Sequence, residues 1–371
     1  MALIYNLKRE VEVDSALPAD YFSEYDSPKT VSSIAAALEA SGCDVLPVEA
    51  DARLPQWLRS HAVDLAFNVA EGAPSENRES HVPALLSLLG IPHTGSGAVT
   101  LALALDKAKT KQILQYEGIP TPAFQLFRDA ATPLDGRLRF PLIVKPNREG
   151  SAKGITLDSV VHDPAQLRRQ VRAVLDSYHQ EVLVEEFISG RELTVGVLAN
   201  GCLSALPILE IDFAGCERSG EYFYSWRMKE YQGNATLGLA PSFHCPARLP
   251  EATTRRIQEL AIRVHRALGC ADLSRTDVRL RQDGQPFVLE VNPLPGLDPE
   301  ESNFPMIARG AGMTYQALIH AIVASALSRA RDRSEAAPTL PAWTSLDVGP
   351  ASASTEVSVA PASAARVAEV P

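Results

Sequence analysis

The stretch "LSRTDVRLRQDGQPFVLEVNPLPG", Leu273 to Gly296, constrains the fold more than any other. It reads as two strands joined by a turn at "RQDGQ". Residues two apart on a strand face the same side, so Glu290 and Asn292 point together, and hairpin pairing brings Asp277 across from them. Three oxygen-bearing side chains on one sheet face suit Mg²⁺, which takes a few hard ligands and completes its octahedron with waters and nucleotide phosphates. An ordinary solvated strand face is the plainer account. The apolar neighbours Phe287, Val288, Leu289 and Val291 speak against it.

A second stretch, "FPLIVKPNREGSAKGIT", places Lys145 at the end of an apolar run and Gly150 and Gly154 around Ser151 and Lys153. A lysine on a strand edge facing a glycine-bearing loop suits a polyphosphate: the ammonium is a point charge, and glycines let backbone N–H groups approach the oxygens. A β-hairpin whose loop merely contains Gly, Ser and Lys is the competing account. The P-loop pattern is excluded, because the lysine precedes the loop and no helix follows.

At 371 residues and 46% hydrophobic composition the chain can bury a large core, and its length suggests two to three domains. A formal net charge of −10 argues against a nucleic-acid footprint, which needs a basic face. No apolar run approaches a membrane span, and the N-terminus lacks the pattern of a signal peptide, so a cytoplasmic location is expected. The five cysteines are scattered without metal-ligand spacing and read as reduced thiols.

Along residues 1–100 strands alternate with helices: "ALIYNL", a helix from about Ser27 to Gly42, "CDVLPV", and "VDLAFNVAEG". That order predicts a small parallel α/β domain. "LALALDKAKTKQILQYEGIPTP" reads as one helix closed by Gly118 and two prolines. From Phe140 the chain turns strand-rich, with "PLIVKP", "GITLD", "EVLVEEFI", "RELTVGVLANG" and "LSALPILEIDF", interrupted by one clear helix at 250–269. The expected fold class is therefore α/β followed by α+β. Divided by function, the expected domains are 1–100, 101–190, 191–330 and a tail at 331–371. The segment after Arg333 is rich in Ala, Pro and Ser and is expected to be a disordered tail.

Taken in order, "GIPHTGSG", "ALDKAKTK", "FPLIVKPNREGSAKG", "VLVEEFISGRELTVGVL", "SRTDV", "LEVNPLPG" and "SNFP" resemble the D-alanine-D-alanine ligase family of ATP-grasp enzymes. The resemblance runs from about residue 28 to 330. It implies an N-terminal α/β domain followed by an ATP-grasp fold of two α+β subdomains. It also implies ATP with two Mg²⁺ ions, Mn²⁺ being the alternative, small amino acids as substrates, and leaves a homodimer open. On this resemblance Lys107 and Lys145 hold ATP phosphates beneath the loop from Gly150 through Ser151 to Gly154. Glu185 and the backbone of Glu186, Phe187 and Ile188 meet the adenine, and Glu192 meets the ribose. Asp277, Glu290 and Asn292 correspond to the magnesium ligands. Arg275 and Lys229 lie beside the acyl phosphate, with Ser151 joining them as catalytic candidates. Gly296 and Ser302 belong to the second substrate's carboxylate site.

Departures from the family fall on the substrate side. A histidine-glycine loop is replaced by "NVAEGAPSENRES", in which Glu71, Arg78 and Glu79 are the candidate groups. The glutamate expected near the first substrate's amine has Glu24 or Asp26 as loose counterparts. Glu230 stands where a tyrosine should follow the lysine, with Tyr231 one place late. The function expected is an ADP-forming carboxylate–amine ligase acting on amino acids, D-alanine first among them and serving peptidoglycan synthesis. A ligase for another amino acid or natural-product acid, and a nucleotide-binding scaffold without turnover, are the alternatives.

Overall fold

A computed structural model describes residues 1–9, 17–73, 75–234 and 236–336. Strands β1 (Ala2–Tyr5), β2 (Leu46–Glu49) and β3 (Ala66–Asn68) form a parallel sheet in the order β2-β1-β3. A second sheet, in the order β4-β7-β5-β6, contains β4 (Phe124–Phe127), β5 (Leu142–Pro146), β6 (Val160–Val161) and β7 (Val182–Glu186). A third, β10-β9-β8-β11-β12, contains β8 (Gly190–Asn200), β9 (Cys202–Asp212), β10 (Ser242–His244), β11 (Leu273–Arg281) and β12 (Pro286–Asn292). Both of the latter are antiparallel, as the α+β reading expects.

The helices are α1 (Pro28–Glu39), α2 (Leu54–Ser60), α3 (His81–Leu88), α4 (Ala98–Leu105) and α5 (Lys107–Tyr116). They continue with α6 (Pro164–Tyr178), α7 (Trp226–Glu230), α8 (Glu251–Ala267), α9 (Asn303–Gly310) and α10 (Tyr315–Ala336). Ser27 caps α1 by accepting the Thr30 N–H at 3.0 Å, and Gly42 reverses the chain after it at φ +84°.

Among the elements that differ from the sequence reading, three have a clear local cause. The single helix expected over 101–118 is two, because Asp106 leaves helical geometry at ψ 97° and its carboxylate caps the second by accepting the Lys109 N–H. "GITLD" is not a strand: Thr156 and Ser159 exchange side-chain bonds that fix a short 3₁₀ turn, and only Val160–Val161 pair. Helix α6, unanticipated, starts at Asp163, whose side chain accepts from the N–H groups of Ala165 and Gln166. The expected tail lies outside the described residues from 337 on.

Burial sets where the sheets sit. One face of the parallel sheet packs Ala2, Ile4 and Ala66 against Leu54, Leu58 and Leu86 of α2 and α3. The other packs Leu3, Leu65 and Phe67 against α1 and, from the far end of the chain, Phe304 and Ile307 of α9 and Leu318 and Ile322 of α10. Helix α6 covers the second sheet through Leu167, Val171 and Val174. Helix α8 covers one face of the third through Ile257 and Ala261, which meet Leu193, Val195, Val197 and Val278. That leaves the opposite face of β8, β11 and β12 for polar side chains.

Candidate active site

On β11 the alternation puts Arg275, Asp277 and Arg279 on the polar face. Asp277 stands opposite Glu290 and Arg275 opposite Asn292, with a bulge in the pairing just beyond Asp277. Asp277 Oδ1 accepts from Thr194 Oγ1 at 2.6 Å and Arg275 Nε at 2.9 Å. Its Oδ2 accepts from Arg275 Nη2 at 2.9 Å and Asn292 Nδ2 at 3.1 Å. Burial pushes the Glu290 carboxyl up, but Lys107, Lys145 and Arg275 more than offset it and hold it at about 2. Glu290 therefore stays ionised, 3.3 Å from the Lys107 ammonium. Two carboxylates and an amide oxygen on one face give Mg²⁺ hard ligands while leaving positions for water and phosphate, so the residues fit that ion. Among the described residues no group of three or more His, Cys, Asp or Glu side chains is placed to hold a metal.

Two further lysines approach from the second sheet and α5. Glu185 Oε1 accepts from Lys145 at 2.6 Å, and its Oε2 lies 2.6 Å from Lys111. Its carboxylate is thus taken up by cations, which leaves the backbone of Glu186 to Ile188 as the candidate base contact. Lys111, missed in the sequence reading, is completely buried and donates to Thr121 Oγ1; burial pulls its ammonium down to about 8. The signal for it was its spacing: four residues beyond Lys107 on one helix, it shares that residue's face.

The glycine-rich loop turns through left-handed geometry at Ser151 (φ 50°), Ala152 (φ 58°) and Gly154 (φ 72°). Lys229 Nζ donates to Ser151 Oγ at 2.9 Å. Glu24 accepts from the Gly150 N–H at 2.5 Å, from Lys153 at 3.0 Å and from Arg78 Nη2 at 2.7 Å. Arg78 also reaches Glu149 at 3.3 Å and the Arg148 carbonyl at 2.9 Å. Burial alone would raise the Glu24 carboxyl; Arg78 and Lys153 hold it at about 2. Glu24 and Arg78, read from sequence as substrate contacts, are partners of each other.

Eighteen of the expected site residues line one cleft of about 430 Å³; Arg78 and Gly154 do not. Glu192 accepts from Arg279 at 2.7 Å, and that guanidinium sits 5.3 Å over the Phe187 ring. Ser302 stands just before α9, and its side chain makes no bond to that helix's N–H groups; its Oγ accepts the Asp298 N–H at 3.1 Å, which leaves its own hydroxyl proton to donate. A Cβ on Gly296 would come within 2.9 Å of Ser302 Oγ, so a side chain there would displace that hydroxyl. Glu230 pairs with Lys8 at 2.7 Å. Asp26, Glu71 and Glu79 line the same cleft, so the departed loops belong to it.

Burial raises the Glu79 carboxyl to about 7, only partly offset by Arg78, and burial with Asp298 raises Asp26 to about 7. A folded-state value above the unfolded one means stability that is full below about pH 4.5 and lost as pH rises through 7. Glu79→Gln removes that loss. Its melting temperature should match the parent's near pH 5 and exceed it by about 2–5 °C at pH 8. An equal shift at both pH values would contradict the assignment.

The family model described as D-ala D-ala ligase C-terminus matches residues 113–324. The chain belongs to the D-alanine–D-alanine ligase family. A D-alanine–D-alanine ligase of Desulforudis audaxviator is 35% identical over 301 residues, covering 80% of this chain and 92% of the relative. That of Bordetella petrii is 37% identical over 294 residues, covering 78% and 84%. An uncharacterized protein, y4sG, of Sinorhizobium fredii is 35% identical over 299 residues, covering 78% and 85%. A crystal structure of the Bacillus anthracis D-alanine–D-alanine ligase superposes with a TM-score of 0.70 at 25% identity, covering 90% of this chain and 98% of that one. The same enzyme complexed with ATP gives 0.68 at 24%, a likeness of fold. As a member of the D-alanine–D-alanine ligase family the chain is an ATP-dependent, ADP-forming ATP-grasp ligase. Among the described residues no helix is long and apolar enough to cross a membrane.

Proposed function

We propose that this enzyme joins two molecules of D-alanine through an acyl phosphate, releasing ADP and phosphate. The observation that carries the reading is the single polar face of β8, β11 and β12, which brings Asp277, Glu290, Asn292 and Arg275 together opposite Lys107 and Lys145. A carboxylate and an amine do not condense at neutral pH, because hydroxide is a poor leaving group. The first amino acid's carboxylate oxygen therefore attacks the γ-phosphorus of ATP, the bond to ADP breaks, and the second amino acid's amine then displaces phosphate from the acyl carbon with loss of a proton.

Catalysis of phosphoryl transfer is mostly positioning and neutralisation of charge. Lys107 and Lys145 hold the phosphates, Lys145 kept in place by Glu185. Arg275 lies at the acyl phosphate, oriented by its two bonds to Asp277. Asp277, Glu290 and Asn292 would hold Mg²⁺, which supplies further charge neutralisation when bound. Phe187 and the backbone beside it receive the adenine and Glu192 the ribose. Ser302 and Lys229 take the second molecule's carboxylate. Asp26, Glu71 and Glu79 supply the acceptors for an ammonium on the N-terminal side, a side that the Glu24–Arg78 pair shapes. The stretches 1–100, 101–190 and 191–330 serve as three parts of this one site, and a cytoplasmic location belongs with the supply of ATP.

ADP release with D-alanine alone should saturate. Ser302→Ala should raise KM for the second molecule about tenfold or more, since a hydrogen bond to a charge is worth 1.5–3 kcal/mol or about that, with a smaller change in kcat. Turnover only with a different pair of acids and amines would move the substrate assignment to that pair, and no amino-acid-dependent ADP release at all would overturn the ligase reading.

A further inference from the structure

The glycine-rich loop is held at both ends by one short piece of the N-terminal region. Asp20 lies in the turn that follows Pro18, where the Tyr21 N–H bonds to the Pro18 carbonyl and the Ser23 N–H to the Asp20 carbonyl. Its side chain is only 5% exposed, although nothing apolar about a carboxylate favours that position. Asp20 Oδ2 accepts from the Gly154 N–H at 2.8 Å and from the Tyr178 hydroxyl at 2.6 Å. Gly154 ends the loop, and Tyr178 ends α6, the helix that covers the second sheet. Four residues on, Glu24 accepts from the Gly150 N–H at the loop's start. Between them Ser23 Oγ accepts from Trp226 Nε1 at 2.8 Å, and the Trp226 N–H donates to the Ile155 carbonyl just past the loop.

The two N–H groups bound by Asp20 and Glu24 are the first and last of the loop's glycines. A carboxylate on each fixes both hinges of the loop, and within it the Lys153 N–H closes the turn on the Gly150 carbonyl at 2.9 Å. A side chain does not fit at position 154: a Cβ there would lie 2.7 Å from Pro146 and 3.0 Å from Tyr178, at φ +72°. The anchor point at Tyr178 itself packs against the cluster formed by its helix's apolar face, Leu167, Val171 and Val174.

We propose that Asp20 and Tyr178 are positioning residues that latch the C-terminal end of the glycine-rich loop over the cleft, so that water is kept from the acyl phosphate. The proposal rests on the ligase reading above for its chemical consequence. When the latch fails, water attacks the acyl carbon in place of the amine. The bond from carbon to the phosphate oxygen breaks, phosphate leaves, a proton is released, and the original carboxylate returns with ATP already spent.

The test compares the full-length enzyme with Tyr178→Phe, which removes one hydroxyl and keeps the ring, and with Asp20→Ala. ADP and amide are measured side by side at saturating substrate, and hydrogen exchange of the 150–155 amides is followed without nucleotide. The parent should give one ADP per amide. Both variants should give an excess of ADP of about threefold or more, with faster exchange confined to the loop. A parallel fall in ADP and amide at an unchanged ratio, or unaltered loop exchange, would make the two residues merely structural and overturn the proposal. If the parent forms no amide from any amino acid, the ligase reading fails. The latch is then decided by exchange alone: faster loop exchange in both variants supports it, and unchanged exchange overturns it.

Discussion

Replacing Glu290 by Gln is expected to lower turnover about 10³-fold or more, with the melting temperature moved by only a few degrees. Glu290 keeps its negative charge at every working pH, because Lys107, Lys145 and Arg275 hold its carboxyl at about 2 against the push of burial. Gln preserves the shape and the strand pairing opposite Asp277. What it removes is the anion that three cations share and that would, on the proposed reading, help hold Mg²⁺. ATP is itself polyanionic and meets those same cations, so its affinity should change far less than kcat, and the dependence of rate on Mg²⁺ concentration should shift upward. ADP release near the parent's rate would contradict the placement of the metal site on this sheet face.

Arg78→Met should be the most damaging change to stability. Arg78 is buried and joins Glu24, Glu149 and the Arg148 carbonyl. Removing it leaves two carboxylates to share Lys153, and breaking a buried ion pair from one side costs about 3–5 kcal/mol. The loss should appear as a lower denaturant midpoint at unchanged slope. Pairing it with Glu24→Gln should recover part of the loss, because the second change removes one of the stranded charges. A loss below about 1 kcal/mol would show that the network behaves like an exposed one.

The sheet face at the centre of the site was legible because strand alternation is a local property: Asp277, Glu290 and Asn292 needed only a turn at "RQDGQ" to meet. The partners of Glu24 were not legible. Arg78, Gly150 and Lys153 lie 54 to 129 residues away, and no periodicity relates them. Local signals could still lose to other local signals. The pattern across residues 101–116 suggests one helix, yet the side chain of Asp106 competes for the backbone and makes two. Helix α6 carries its own signals in Asp163, Pro164 and the spacing of Leu167, Val171 and Val174, although strand-like segments flank it on both sides.

The packing of α9 and α10 on the parallel sheet has a consequence for synthesis on the ribosome. Leu3, Ile34 and Phe67 wait for Phe304, Leu318 and Ile322 to cover them, so the first sheet emerges with one apolar face bare until nearly the whole described chain has been made. Contacts of such sequence separation form late. A nascent chain arrested before α9 should therefore expose that face to chaperones and to aggregation. In the finished protein the same packing welds the first strand to helices made last among the described residues, so any local opening of α9 or α10 bares the first sheet again.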